Sequence, residues 1–427
     1  MASHRCFIGL VVKAILACSS LVLISCGPNI YDEIDLMPSP TVYSEAQVDP
    51  FVGVTSENVY DLAKLFYATD RMPAGPEDPQ AFYSNERGHL LRGGTARVKI
   101  DPPVSTWEDI RRISLQENRK QTYRLSLSEV NEIGVFPFST TRYFDDAPSQ
   151  QSMELAGRQF SEQIDAKIAK SANKDIFIYI HGYNVDFDYS TLVSKELQHF
   201  LGYQGALVSY NWTATPSRFS YFRDQESVMS TRRNLRSLVK YLSDNTRARK
   251  IHLVGYSAGS RLAFEVAYQI ALQTAGRPRM GKLVLIASDL DTSFVLQAIE
   301  DGLLDAVDDV TIYQSQSDSA LGLARAVFGR QRIGQTVEPE DIAPSVAAGI
   351  LAIRDLHFID VSDAEAASIG NGHWYFQSSP WASSDLFISL LNEQDPSERG
   401  LVRAPGKVIW QFPPNYPEVL KSRLQSN

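Results

Sequence analysis

The chain has 427 residues, of which 44% are hydrophobic and 21% charged, with a net charge of −9. That composition is ordinary for a globular protein, leaves room for one large α/β domain with extensions or for two domains, and lacks the basic footprint of a nucleic-acid binder. The three cysteines, Cys6, Cys18 and Cys26, lie near the N-terminus, so the remainder holds no disulfide framework, no cysteine metal site and no catalytic thiol.

Arg5 and Lys13 precede an apolar run, Ala14 to Ser25, that is too short to span a bilayer as a mature helix. It reads as a signal peptide ending in Leu23-Ile24-Ser25-Cys26-Gly27. That ending resembles the bacterial lipobox, and the resemblance implies a diacylglyceryl anchor on Cys26. Ile15-Leu16-Ala17-Cys18 is a rival box, but its use would put Lys13 inside the hydrophobic region. The expected location is therefore the cell envelope, attached to a membrane by lipid, and the outer membrane in a bacterium with two membranes, because Gly27 is not an Asp-type retention signal. Pro28 to Phe51, with four prolines, reads as a tether. The expected division is a signal peptide over 1–25, a tether over 26–55, a main domain over 56–394 and a proline-rich tail over 395–427.

Asn58–Arg71 and Gly94–Asp101 read as two early strands joined by a polar loop. Thr106–Ser128 is mixed in pattern, and helical spacing returns at Met153–Ile168. From Lys174 the pattern becomes regular. The run IFIYIHGYN is a strand ending in a glycine turn, Leu192–Leu201 a helix stopped at Gly202, and Ala206–Trp212 a strand. Asp224–Leu242 is a helix with Asp224 as its N-cap, Ile251–Val254 a strand, and Ser260–Leu272 a helix. Strands at Leu283–Ser288, Val310–Gln316 and Leu356–Val361 and helices at Ser319–Phe328 and Ser384–Leu391 complete the alternation. Such alternation predicts a mostly parallel central sheet with helices on both faces. Gln331–Ala347 is expected to be an insertion between the last two strands, and Asp395–Asn427 a tail hugging the surface. Gly276–Lys282 spells G-x-x-x-x-G-K, but Leu283 follows and the stretch runs from helix into strand, the reverse of a P-loop.

The chemistry centres on Gly255-Tyr256-Ser257-Ala258-Gly259, placed between an apolar strand and an amphipathic helix. This is the pattern of a nucleophile elbow, in which glycines let strand and helix close around a serine raised toward substrate. A serine hydroxyl is a poor nucleophile at neutral pH and needs a general base, which in turn needs a carboxylate to hold its tautomer. In this architecture the order along the chain is nucleophile, acid, histidine. Only His357 and His373 follow Ser257. His357 lies inside a strand, whereas His373 lies in a glycine-rich loop beyond it and is the favoured base. Asp318, after the strand Val310–Gln316, is the favoured acid and also fits a helix N-cap. Asp289 is the next candidate and Asp291 adjoins it. The backbone N–H of Ala258 and of Tyr183 are the expected oxyanion donors, and His181 is expected to be a structural loop residue.

LFYATDR near Leu65, IYIHGYN near Ile178, YNWTA near Tyr210, LVGYSAGSR at Leu253, IASDLD at Ile286, VTIYQSQSDSAL at Val310 and GNGHWYF at Gly370 occur in that order. In these stretches the chain resembles the α/β-hydrolase superfamily, and specifically the bacterial group called domain of unknown function 900. The resemblance covers roughly Asn58 to Leu391. It implies the α/β-hydrolase fold, esterase-like or lipase-like activity, and Ser257, Asp318 and His373 as the triad. Thr213 departs from the proline expected after the tryptophan.

These features point to a serine hydrolase acting on a small ester or lipid without metal or organic cofactor, held at a membrane by its lipid, with no nucleic-acid partner. A non-catalytic surface lipoprotein that uses the fold for binding, and a transacylase, are the alternatives. Tyr183, Trp212, Phe219, Tyr221, Trp374 and Tyr375 are candidates to line an apolar pocket.

Overall fold

The computed structural model describes residues 32–45, 48–54, 64–76, 78, 81–139, 147–217, 220–273, 276–322, 332–335 and 344–426. The expected signal peptide, the three cysteines, the first part of the expected tether, Phe219, the start of the first expected strand and the end of the helix expected at Ser319–Phe328 lie outside the described residues.

Eleven strands form one sheet in the order β1-β4-β3-β2-β6-β5-β7-β8-β9-β10-β11. They are β1 (Glu33–Asp35), β2 (Lys64–Pro73), β3 (Tyr83–Asp101), β4 (Arg124–Val135), β5 (Ile176–Ile180), β6 (Ala206–Asn211), β7 (Ile251–Tyr256), β8 (Met280–Ile286), β9 (Asp309–Gln314), β10 (Leu356–Asp360) and β11 (Ile409–Gln411). From β2 to β11 every neighbouring pair is parallel, while β1, β3 and β4 add an antiparallel extension. The longer helices are α1 (Trp107–Leu115), α2 (Gln150–Ala169), α3 (Phe187–Phe200), α4 (Tyr221–Asn245), α5 (Ala258–Ala271), α6 (Thr292–Glu300), α7 (Pro344–Leu351), α8 (Pro380–Leu391) and α9 (Tyr416–Ser426).

The apolar strands are buried on both faces, as a parallel sheet between helices requires. On β5, Ile176, Ile178 and Ile180 face a core shared with α2, α4, α5 and α6. Phe177 and Tyr179 face a second core with α3, α8 and α9. This is the two-residue period of a strand. Side-chain caps fix several helix starts: Asp186 accepts the Tyr189 N–H ahead of α3, and Ser379 accepts the Ala382 N–H ahead of α8, where Pro380 occupies the first turn.

Both of those helices begin earlier than the periodicity suggests, because the cap and not the first apolar residue sets the boundary. Asp224 does not cap α4. The helix starts three residues before it, and the buried Asp224 carboxylate accepts the Thr215 N–H at 3.1 Å. The polar loop expected before Gly94 is mostly strand, since β3 runs from Tyr83. Its polar residues occupy the half-exposed positions of an antiparallel ladder with β2 and β4, and β4 itself arises within and beyond the stretch of mixed pattern.

Two terminal expectations are corrected. Residues 32–45 do not behave as a tether: β1 pairs with β4, the Met37 N–H donates to Glu196 Oε1 at 2.6 Å, and Thr41, Val42 and Tyr43 are buried. The C-terminal stretch is part of the core and not a surface tail. β11 extends the sheet beside β10, Trp410, Phe412, Tyr416 and Leu420 join the second core, and the buried Arg399 donates to Asp385 Oδ1 at 2.7 Å. Proline content signalled irregular chain there but carried no information about burial.

Registers align the strand ends. Ile180 pairs with Gly255, Tyr256 with Ile286, Ile286 with Tyr313, and Gln314 with Asp360. The loops that follow β5, β7, β8, β9 and β10 therefore emerge side by side at one edge, where ligands of open α/β sheets bind.

Candidate active site

β7 ends at Tyr256 and α5 begins at Ala258, so Ser257 makes the turn alone, with φ 52° and ψ −123°. A side chain at such a positive φ costs roughly 1–3 kcal/mol and persists only where neighbours over-determine it. Here the Ser257 N–H donates to the Ile286 carbonyl at 2.8 Å, and its own carbonyl accepts the Ser260 N–H at 2.9 Å and the Ser260 hydroxyl. A Cβ on Gly255 would come within 2.5 Å of Ser260 Cα, and one on Gly259 within 2.2 Å of the Ile180 and His181 carbonyl oxygens. Only glycine permits that closure.

His373 lies in the loop after β10. Its N–H donates to Asn371 Oδ1 at 3.1 Å, while the Asn371 carbonyl accepts the Ser319 N–H at 3.0 Å. Gly372, at φ 68°, packs so tightly on the loop after β9 that a Cβ would sit 2.3 Å from the Ser317 carbonyl oxygen. The two loops are thus locked together, and they join three side chains. His373 Nδ1 lies 2.6 Å from Asp318 Oδ2, and His373 Nε2 lies 3.0 Å from Ser257 Oγ. An ionised carboxylate only accepts, so Asp318 holds the proton on Nδ1 and leaves the Nε2 lone pair for the Ser257 hydroxyl. The other carboxylate oxygen accepts the Leu321 N–H at 3.0 Å, so the cap and the histidine partner are one residue. All three side chains are buried.

The other candidates are engaged elsewhere. Asp289 Oδ2 accepts the Tyr221 hydroxyl at 2.6 Å, and Arg261 Nε lies 3.5 Å from its Oδ1. Asp291 caps α6 through the Ser293 N–H. His357 sits at the opposite edge of the sheet, 3.0 Å from Asp309 Oδ2.

The turn after β5 faces the serine, for a Cβ on Gly182 would lie 3.0 Å from Ser257 Cβ. That contact brings the Tyr183 backbone to the same side as Ala258, whose N–H opens α5 in the turn where helix N–H groups have no intrahelical acceptor. His181 is buried, stacked on Trp212 with ring centroids 5.1 Å apart, and its Nδ1–H donates to the Gly182 carbonyl at 2.7 Å. Burial, with help from the Arg71 charge, pushes it down to about 3, so it is neutral and shapes the loop.

Arg71 is the residue that pattern alone did not single out. Its guanidinium is fully buried and donates to Asn85 Oδ1 at 2.6 Å and to the carbonyls of Ala214 and Val185 at 3.0 Å. It clamps the loops after β5 and β6 to the end of β2. Burial lowers it to about 10 against the pull of Asp186 and Asp70, so it stays charged at neutral pH. The available signal was a cationic residue ending the apolar strand LFYATDR.

Of the aromatic candidates, Trp212 and Tyr375 are core: the Trp212 Nε1–H donates to the His181 carbonyl, and the Tyr375 hydroxyl ties Ala287 to Tyr313. Tyr183 and Tyr221 pack edge to face. Trp374 lines a groove of about 730 Å³, together with Tyr189, Gln377, Arg124 and the N-terminal segment from Asp32 to Pro38. Among the described residues no group of three or more His, Cys, Asp or Glu is arranged to hold a metal ion.

Residues 157–391 match the family described as alpha/beta hydrolase of unknown function (DUF900). No curated protein matches the chain. Among solved structures, a lipase-esterase related protein from Clostridium acetobutylicum is 13% identical, with 60% of this chain and 92% of that chain covered and a TM-score of 0.23. An esterase from Pyrobaculum calidifontis is 17% identical, with 60% and 74% covered and a TM-score of 0.23. The family match covers more than half of the chain and includes Ser257, Asp318 and His373. The chain belongs to this family of alpha/beta hydrolases of unknown function.

Proposed function

We propose that this protein is a serine hydrolase that cleaves a carboxylic ester through an acyl-enzyme, with Ser257 as nucleophile, His373 as general base and acid, and Asp318 as the group that holds the imidazole. The observation that carries the proposal is the relay of 3.0 Å from Ser257 to His373 and 2.6 Å from His373 to Asp318, built on a serine at positive φ. In the first half-reaction Ser257 Oγ bonds to the ester carbonyl carbon while its proton passes to His373 Nε2. The carbonyl oxygen gains negative charge opposite the Tyr183 and Ala258 N–H groups. The ester C–O bond then breaks, and the alcohol departs with the proton held on Nε2. Water attacks the acyl carbon, gives a proton to Nε2 and releases the acid, and that proton returns to Ser257.

The same proposal places a lipid on Cys26 and attaches the protein to a membrane of the cell envelope, supported by the apolar run before Ser25-Cys26-Gly27. Among the described residues no helix is long and apolar enough to cross a membrane. A fluorophosphonate probe tests the chemistry. It should label the wild type and fail on Ser257→Ala, with short-chain aryl esters turned over by the wild type only. An unlabelled wild type, or retained labelling of Ser257→Ala, overturns the proposal.

A further inference from the structure

The groove lined by Trp374 begins beside the relay, because Trp374 follows His373 and its ring packs 4.7 Å from that of Tyr256, the residue before Ser257. Its far wall is the segment Asp32–Pro38, fastened to the body through β1 and the Met37–Glu196 hydrogen bond. The folded body is thus reached only six residues after Cys26. Fully extended, six residues span about 20 Å, whereas a domain of this size is roughly 50 Å across. That reach keeps Asp32, in the groove wall, within about 20 Å of a surface to which Cys26 is fixed. Exposed apolar side chains stand on the same edge. Ile369, 61% exposed, lies in the His373 loop, and Phe222, 63% exposed, follows Tyr221 at the start of α4. Met72 and Phe82 are exposed where β2 leaves the sheet. In the groove the acids Asp32, Glu33 and Asp35 outnumber Arg124, and the net charge is −9, so attraction to anionic headgroups contributes little and the lipid and these apolar residues hold the surface.

We infer that the site faces the bilayer to which the protein is anchored and that its substrate is an acyl ester resident in that bilayer, drawn into the groove between Trp374, Tyr189 and the N-terminal segment. The inference rests on the ester-hydrolase proposal and on lipidation of Cys26. The test compares three full-length lipoproteins reconstituted in phosphatidylcholine vesicles: wild type, a form with a flexible Gly/Ser insertion of about 20 residues after Gly27, and the double variant Phe222→Ser, Ile369→Ser. Each is assayed on a water-soluble aryl butyrate and for fatty-acid release from the vesicle lipid. The ratio of vesicle to soluble turnover should fall at least fivefold with the long leash and at least tenfold in the double variant. An unchanged ratio in both overturns the inference while leaving the hydrolase proposal standing. Absence of aryl butyrate turnover in all three overturns the hydrolase proposal itself, and a mass spectrum showing unmodified Cys26 overturns the anchoring on which the inference depends.

Discussion

Both edges of the parallel sheet carry histidines paired with aspartates, and the two edges differ in what the second ring nitrogen meets. At the edge where the strands end, His373 bonds Asp318 through Nδ1 and presents Nε2 to Ser257. At the edge where they begin, His252 Nε2 lies 3.3 Å from Asp175 Oδ2, but its Nδ1 accepts the Lys282 N–H at 2.9 Å. The lone pair that faces the Ser257 hydroxyl in one place is consumed by the backbone in the other. His252 and Asp175 tie β7, β8 and the approach to β5 together, as His357 and Asp309 tie β10 to β9. Burial pushes Asp175 up, yet His252 and Arg249 outweigh it and hold the carboxyl well below its usual range. A histidine–aspartate pair is therefore an element of structure until a strained serine stands at its open side.

The sharpest way to break this comparison is to remove the groups that differ. Ser257→Ala or His373→Ala should lower kcat on an aryl ester by about 10⁵–10⁶-fold, whereas His357→Asn, confirmed folded by circular dichroism, should stay within about threefold. Comparable losses at the two edges would refute the assignment. Asp318→Asn should cost about 10⁴-fold by favouring the wrong tautomer, while Asp289→Asn, measured as kcat/KM, should cost less than about tenfold. Arg71→Met should reduce kcat and the rate of probe labelling together by about 10–100-fold, because the loop bearing Tyr183 loses its clamp. Loss of labelling without loss of ester turnover would count against that role.

The smallest effect concerns stability. Burial holds the His252 ring below its ordinary 6.5, against the pull of Asp175. The folded chain keeps it neutral while the unfolded chain takes up a proton below about pH 6.5, so its contribution is complete above that pH and is lost as the pH falls through the window below it. His252→Asn should flatten the decline in urea-unfolding stability as the pH falls below about 6.5, by up to ~1.4 kcal/mol per pH unit. An unchanged slope would show that the ring already titrates normally in the fold.

Much of this arrangement is legible in residues that act locally. Gly255 and Gly259 flank Ser257 because the close contacts there admit no Cβ, and IFIYI and LVLI are apolar throughout because both sheet faces are covered. Arg71 was not legible as a clamp, since its acceptors, the Val185 and Ala214 carbonyls, lie more than a hundred residues away. The long ladder of β3 and β4 was hidden for another reason: half-exposed antiparallel strands tolerate polar residues at most positions and leave weak alternation.

By itself the sequence determined the elbow, the alternation of strand and helix, and the order of serine, acid and histidine, because turn chemistry and side-chain period depend on neighbours a few residues apart. The tertiary structure alone decided which acid reaches His373. Both Asp289 and Asp318 follow sheet strands, but the packing of Gly372 against Ser317 brings one loop to the histidine, while Tyr221 draws the other carboxylate toward α4. It alone also decided that the chain ends in the core and that its N-terminal segment walls the groove. Those facts depend on pairing between strands about 50 to 90 residues apart, β10 with β11 and β1 with β4, which no local pattern encodes.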